Sequence, residues 1–510
     1  MHGLAVALIA AASLAASVRW GSFVAGGSDS YCYVAQAQRW ADVIRHPMSE
    51  RLQVVEPLAL EAPWPDAPLT FAPVGHTPSR TMPGAIAPIC PPGLSMAMAP
   101  FVLGAGPSAA FAAVPLFGAL LVVATYVVGG RFGTRIGVAA AVLVAASPIF
   151  LYQVVQPMSD VPAAALWMSA VALATGTGRR HAILAGIATS AAILVRPNLL
   201  PLGLAIGVFL LLRPERTGRQ RMMAATQYAL SSAIGCLGVA IIHWLFFGSP
   251  FASGYGSFDA LFSIDNVGAN ARRYLAWLWN THTPAIAMAV LAPLLLPGAL
   301  TTLLLVLIGI NLALYLPYAV FEDWWYLRFL LPTVPLMLIL VVAVIDAGCR
   351  RLIRVGDTRL VLAIAVALLS VVFVQEARDR LAFRLQRLES RFGRAGTYVS
   401  ERLPPNALVF TTWHSGSVRF YAGRKTVVWD VLPPDWLDRA LDFVRAGGYE
   451  PFFLFDGQEE RLFRERFRSS SSGALDWPPA ADILGQVKIY RPRDRDAYRR
   501  GVAPPTEYVR

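Results

Sequence analysis

The chain has 510 residues, 56% of them hydrophobic, and only 15% are Asp, Glu, Lys or Arg, against about 25% in an average soluble protein. A mean hydropathy of +0.52 over this length excludes one oversized soluble core, because cores split into domains well before this size. The composition is that of a polytopic α-helical membrane protein. A net charge of +12 and a pI near 9.8 suggest DNA binding, but the charge is in the wrong places. Residues 376–510 hold 23 basic and 18 acidic residues, whereas 1–375 hold 21 and 14, mostly in short gaps between apolar runs. No nucleic-acid partner is expected.

A helix needs about 20 apolar residues to cross the hydrocarbon, with 17 still workable. Eleven spans are predicted in chain order: 3–19, 108–129, 137–154, 161–177, 182–196, 198–212, 224–247, 284–298, 301–320, 329–347 and 359–375. Orientation follows from where Lys and Arg collect. With the N-terminus cytoplasmic, the inner loops carry Arg131, Arg135, Arg179, Arg180, Arg213, Arg216, Arg219, Arg221, Arg350, Arg351, Arg354 and Arg359. Only Glu215, Asp357 and the helix-end Asp346 oppose them. An odd number of spans then puts the C-terminal tail outside an inner (plasma) membrane. Residues 4–17 also fit the apolar core of a signal peptide, although no Lys or Arg precedes them.

Residues 21–106 form a long, Pro-rich first outer loop with helix-like pieces at about 31–46 and 93–103, the second too short to span. Cys32 and Cys90 both sit there, in an oxidising compartment on this orientation. A disulfide between them and two unrelated thiols are equally compatible with the sequence. Cys236 and Cys349 fall in a span and at a cytoplasmic end, and read as unpaired.

Three features carry candidate chemistry. Asp29, in Gly-Gly-Ser-Asp-Ser-Tyr-Cys-Tyr, stands at the membrane boundary before an amphipathic helix. There a carboxylate can take a proton from an acceptor hydroxyl or bind a hard divalent cation, while the bland reading is a helix cap by Ser28 or Asp29. Asp160, in Gln156-Pro157-Met158-Ser159-Asp160-Val161-Pro162, begins a span. Capping explains Ser159 or Asp160 and the Pro after it, but it does not explain a second outer acid in a membrane part sparing with acids. Two such acids can share a metal or a substrate hydroxyl. Arg328, in Glu322-Asp323-Trp324-Trp325-Tyr326-Leu327-Arg328-Phe329-Leu330-Leu331-Pro332, is either an interfacial anchor or a phosphate ligand, for which the guanidinium fork is suited. Arg196 before Pro197 and the Arg272-Arg273 pair can add positive charge, and His76 and His282 are weaker candidates. No Cys/His metal spacing, Walker loop or Gly-x-Ser-x-Gly occurs.

These motifs carry a resemblance in their order: one span, a long outer loop opening with Asp29, a Pro91-Pro92-Gly93 juxtamembrane helix, Pro-x-Ser-Asp-x-Pro at 157–162, Arg-Phe-Leu-Leu-Pro at 328–332, and an outer soluble tail. The chain resembles the GT-C superfamily of polyprenyl-phosphate-dependent glycosyltransferases over roughly residues 1–345. Within it the likeness is to the protein O-mannosyltransferase-like and aminoarabinose transferase-like branch, which includes lipopolysaccharide-core galacturonosyltransferases. Many relatives carry an acidic pair after the first span, whereas here Asp29 is followed by Ser30. The resemblance implies transfer of a sugar from a polyprenyl-phosphate donor to a hydroxyl acceptor in the cell envelope, on the outer face and usually with inversion. It implies Asp29 as the base, Asp160 as the group positioning the acceptor or a divalent cation, and Arg328 as the ligand of the leaving phosphate, with Arg196 and Arg272 in support.

In the tail, 376–400 reads as an amphipathic helix lying on the membrane. It is followed by strands near 407–412, 426–429, 451–455 and 483–490 and helices at 435–446 and 458–468, an alternation that predicts a small extracytoplasmic α/β domain. Residues 491–510 read as disordered. Trp413-His414-Ser415-Gly416-Ser417 follows the first strand, where α/β folds place ligands, but it reads more simply as a packed loop. A transporter or lipid-sugar flippase is the rival class. It calls for internal repeats and ionisable groups at mid-membrane, and the charges here cluster outside the spans. A non-catalytic envelope scaffold, the third class, would tolerate loss of both Asp29 and Asp160.

Overall fold

The computed structural model describes residues 2–178, 180–213, 215, 217–352 and 357–509. Arg179, Arg216 and Arg354, counted above among the inner-loop cations, lie outside the described residues. The chain divides into two compact units, the first comprising Met1–Gly21, Pro91–Ile242 and Gly256–Leu385, the second Ser22–Cys90, His243–Tyr255 and Gln386–Arg510.

The first unit is helical. Among the described residues, four helices are long and apolar enough to cross a membrane: His2–Arg19, Pro107–Gly129, Gly218–Phe247 and Thr358–Asp379. Two further pairs qualify as bent spans, Thr134–Ala146 with Pro148–Val154 at 60° and Trp324–Leu330 with Val334–Arg351 at 83°. Both bends fall at a proline, Pro148 and Pro332, which lacks the N–H that would continue the ladder. The other five predicted spans are apolar helices of 10–17 residues. Small residues let the helices approach closely. A Cβ on Gly93 would stand 2.4 Å from the backbone of Leu194 and Val195, which gives the Pro-Pro-Gly motif a packing reason.

The second unit contains two sheets. Val54–Val55 (β1), His76–Pro78 (β2) and Ala85–Pro88 (β3) form an antiparallel sheet in the order β1-β3-β2. Cys32 and Cys90, 58 positions apart in the chain, are joined by a disulfide with a Cα–Cα distance of 6.2 Å. Gly75 passes beside this bridge with φ +91°, and a Cβ there would meet the Ser28 carbonyl at 2.7 Å, so only glycine fits.

The larger sheet runs β5-β4-β6-β8-β7-β9. Its strands are Ala407–Phe410 (β4), Lys425–Val427 (β5), Glu450–Asp456 (β6), Ala481–Ile483 (β7), Val487–Tyr490 (β8) and Glu507–Val509 (β9). The β5-β4-β6 part is parallel, β6-β8-β7 is antiparallel, and β9 pairs in parallel with β7. Both faces are buried, with the period-2 alternation of a strand. Leu408, Phe410, Phe453 and Phe455 pack with Leu58, Trp64 and Phe71 from the segment before Cys90. Val409, Phe452 and Leu454 pack on the other side with Ala395 and Val399.

Three expectations for the tail are revised. Residues 376–379 complete the last apolar helix, the chain turns at Leu381 (φ +65°), and a separate helix Leu385–Arg402 begins. Its apolar stripe is covered by the sheet through Ala395 and Val399, so that stripe is not free to lie on lipid. The predicted strand 483–490 is a hairpin, because Leu484 (φ +58°) and Gly485 (φ +66°) reverse the chain. Residues after 490, read as disordered, form helix Asp494–Arg499 and strand β9, because β7 offers an open edge that pairing satisfies.

Candidate functional site

In the first unit, Asp160 opens the helix Asp160–Ala174 and is fully buried. Ser159 makes no side-chain cap bond to that helix, so capping does not account for the motif. The partner of Asp160 is Arg196, which ends the helix His181–Val195 just before Pro197. Arg196 donates from Nη2 to Asp160 Oδ1 at 2.6 Å and to Ser159 Oγ at 3.4 Å. Asp160 Oδ2 is buried with no hydrogen-bond partner among the described residues.

Arg196 also reaches toward the late-span motif. Its guanidinium carbon is 6.0 Å from the centre of the Phe329 ring, and that of Arg328 is 5.4 Å from the same ring and 5.2 Å from Tyr326. Phe329 stacks on Tyr315 at 5.0 Å, and Tyr315 OH accepts from Asn198 Nδ2 at 2.9 Å. Asn311 Nδ2, fully buried, donates to the Phe329 carbonyl at 3.3 Å. The bend at Pro332 and the turn at Pro197 thus bring Asp160, Arg196 and Arg328 together. Guanidinium groups held among aromatic rings are suited to a phosphate through their planar fork of donors.

Arg272 is placed differently. It is exposed on helix Asn266–His282 and donates to Gly268 O of its own helix, while Arg273 donates to Phe321 O at 2.7 Å and lies 3.5 Å from Glu322. His282 is buried between Ser147 Oγ and Thr281 Oγ1, each at 2.8 Å.

Asp29 lies in the second unit, as the first residue of helix Asp29–Arg45. Ser28 makes no cap bond to the helix, and its hydroxyl donates to Asp29 Oδ1 at 3.2 Å. Nearby, Tyr31 and His76 rings approach to 5.2 Å on a cleft of about 480 Å³. Burial and the Arg419 guanidinium hold His76 neutral, pushed down to about 3. The cations of this cleft are engaged: Arg419 and Lys425 on Glu56, Arg39 on Glu50, and Arg424 on the carbonyls of Pro404 and Ala422. His414 is fully buried, with Nε2 3.5 Å from Asp456 and Nδ1 3.3 Å from Ser417 Oγ. Ser417 is also fully buried, so this trio is a packed polar network beyond a substrate's reach.

Among the described residues no three His, Cys, Asp or Glu side chains gather into a metal-holding group. Asp160, one of the two carboxylates expected to share a cation, already carries Arg196.

The sequence pointed to Asp160, Arg196 and Arg328 one by one. The pairing of Asp160 with Arg196, the meeting of Arg196 and Arg328 on Phe329, and the supporting Asn198, Asn311 and Tyr315 were missed. The sequence signal for them was polar residues near the ends of otherwise apolar helices, Asn198 at the start of one and Asn311 and Tyr315 in the last two turns of another.

No family model and no curated protein matches the chain. Solved structures do. ArnT from Cupriavidus metallidurans in the apo state superposes with a TM-score of 0.58 at 11% identity, covering 98% of this chain and 99% of that one. The same protein bound to undecaprenyl phosphate gives 0.54 at 12%, covering 95% and 97%. The oligosaccharyltransferase of Archaeoglobus fulgidus, solved with Zn and sulfate, gives 0.55 at 14%, covering 90% of this chain and 69% of that one. The likeness runs from end to end, and the chain shares the fold of these solved structures.

Proposed function

We propose that the protein is a membrane glycosyltransferase that moves a hexose- or pentose-sized sugar from a polyprenyl-phosphate donor to a hydroxyl acceptor, a glycolipid, lipopolysaccharide or protein of the cell envelope. The observation that carries this reading is the buried Asp160–Arg196 pair beside Arg328, in a fold that ArnT shares over its whole length and in which that protein binds undecaprenyl phosphate. In this reading eleven spans cross the inner membrane, and the second unit, with its α/β domain, lies outside.

The acceptor hydroxyl gives its proton to a carboxylate base as its oxygen bonds to the anomeric carbon, the role that the motif order assigns to Asp29. The bond from that carbon to the phosphate oxygen breaks on the opposite face, which inverts the centre. The departing phosphate is stabilised by Arg328 and Arg196, so it leaves without a strong general acid. Asp160 fixes the direction of Arg196 through Oδ1.

Mass spectrometry of envelope glycolipids and glycoproteins tests this in a deletion strain complemented with wild type, Asp29→Asn or Arg328→Ala at matched membrane levels. The expected result is loss of one sugar-sized mass that returns only with wild type. Full restoration by Asp29→Asn overturns the mechanism, and an unchanged mass profile in the deletion overturns the transferase reading.

A further inference from the structure

In the first unit lies a groove of about 870 Å³ lined by residues of 132–142 and 350–367. Helices Thr134–Ala146 and Thr358–Asp379 supply its walls, and each contributes the same pattern. Arg135 and Arg359 stand in the first turns, and Val138, Val142, Val366 and Ala367 follow at helical spacing along the groove. Arg350 completes the basic end.

The charges there are unbalanced. Asp346 is fully buried and serves Arg135 at 2.8 Å and Arg350 at once. Asp357 accepts from the Arg359 backbone N–H at 2.8 Å and caps that helix. Neither acid lines the groove. Three guanidinium groups therefore meet at one end of an apolar channel, and the positive ends of two helix dipoles lie beside them. A free anion would use the basic end alone and leave the apolar walls uncovered. A headgroup phosphate with an acyl chain matches both, because arginine binds phosphate through its planar fork.

We propose that this groove binds an anionic phospholipid, with its phosphate on Arg350, Arg359 and Arg135 and one acyl chain along Val142, Val366 and Ala367. The orientation read from the loops places this end on the cytoplasmic side, where anionic headgroups attract basic segments. The inference does not depend on the transferase reading.

Native mass spectrometry of the full chain in mild detergent tests it, with phosphatidylglycerol or phosphatidylcholine titrated in. Wild type should retain phosphatidylglycerol about tenfold better than phosphatidylcholine, as two or three arginines at an anionic headgroup imply. Arg350→Gln with Arg359→Gln should abolish that preference; Arg135 stays to neutralise Asp346. Ala367→Trp, which fills the channel, should lower retention of phosphatidylglycerol, and millimolar inorganic phosphate should not displace it. Equal retention of both lipids by wild type overturns the proposal. So does displacement by inorganic phosphate, which would mark a simple anion site. If the double variant does not fold, Ala367→Trp and the phosphate competition decide.

Discussion

Arg196 and Asp160, 36 residues apart, meet through a 2.6 Å hydrogen-bonded ion pair whose carboxylate is fully buried. The pair joins the C-terminal end of one helix to the N-terminal end of another, the ends at which a cation and an anion are each favoured by the helix dipole. Removing one partner leaves the other charge buried and alone, at a cost of about 3–5 kcal/mol. Arg196→Ala should therefore lower the melting temperature of the detergent-solubilised protein more than Arg196→Ala combined with Asp160→Ala. A double variant as unstable as the sum of the two singles would show that the pair is not coupled.

The Cys32–Cys90 bridge closes a long loop in the second unit. In the chain-entropy account a loop of this length contributes about 4 kcal/mol. Cys32→Ser, Cys90→Ser and the double variant should melt alike, and each should match the wild type under reducing conditions. Unchanged melting on reduction would remove the bridge from the stability of this unit.

His76 and Glu459 set opposite pH trends in the second unit. His76 titrates near 6.5 when unfolded and is pushed down to about 3 in the fold by burial and by Arg419. The unfolded chain binds the extra proton between these values, so the stability from neutral His76 is complete above pH 6.5 and is lost as pH falls toward 3. Glu459 is raised to about 7, because burial outweighs the N–H groups of Thr412, Trp413, Trp429 and Asp456. Here the native state holds the extra proton, so stability present below about 4.5 is lost as pH rises through 7. Hydrogen exchange over residues 407–420, corrected for the intrinsic rate, should quicken from pH 6 to 8, and Glu459→Gln should flatten that slope. A slope unchanged by the substitution would contradict the assignment.

Trp64 and Phe71 are 3% and 0% exposed in the core shared with Phe453 and Phe455. Phe71→Ala should cost about 3–5 kcal/mol and should loosen the strands of the tail as well as the first loop. Exchange protection lost only in residues 58–71 would mean that the loop is stabilised separately.

Much of this fold was legible in the sequence, and the reasons differ by element. The apolar runs were found because hydropathy over some 20 residues marks a helix in lipid; among the described residues four helices, or six with the bent pairs, are long and apolar enough to cross a membrane, and the other predicted segments hold shorter apolar helices. The breaks at Pro148 and Pro332 were inside those runs and invisible to a hydropathy window. The strands of the tail were read from β-branched and aromatic clusters, but Leu484-Gly485 carries no common hairpin dipeptide, so two strands read as one. The partners of Trp64 and Phe71 were out of reach, since composition places a Pro-rich loop outside the membrane without saying what covers its aromatics. In the candidate site, Asp160, Arg196 and Arg328 were marked by chemistry that is rare in apolar surroundings. Their pairing depends on where Pro197 and Pro332 turn the chain, and a linear pattern does not contain that.

The Val428 N–H donates to the carbonyl of Thr70 at 2.7 Å across 358 residues of chain. At about 5–20 residues per second of synthesis, residue 70 waits roughly 20–70 s for this partner to be made. During that interval Trp64 and Phe71 have no strands of the tail to cover them. The bridge from Cys32 to Cys90 needs only partners that emerge within the same loop. It can close early and keep the waiting segment compact, which makes oxidation of these two thiols a step in the timing of assembly as well as a bond in the finished protein.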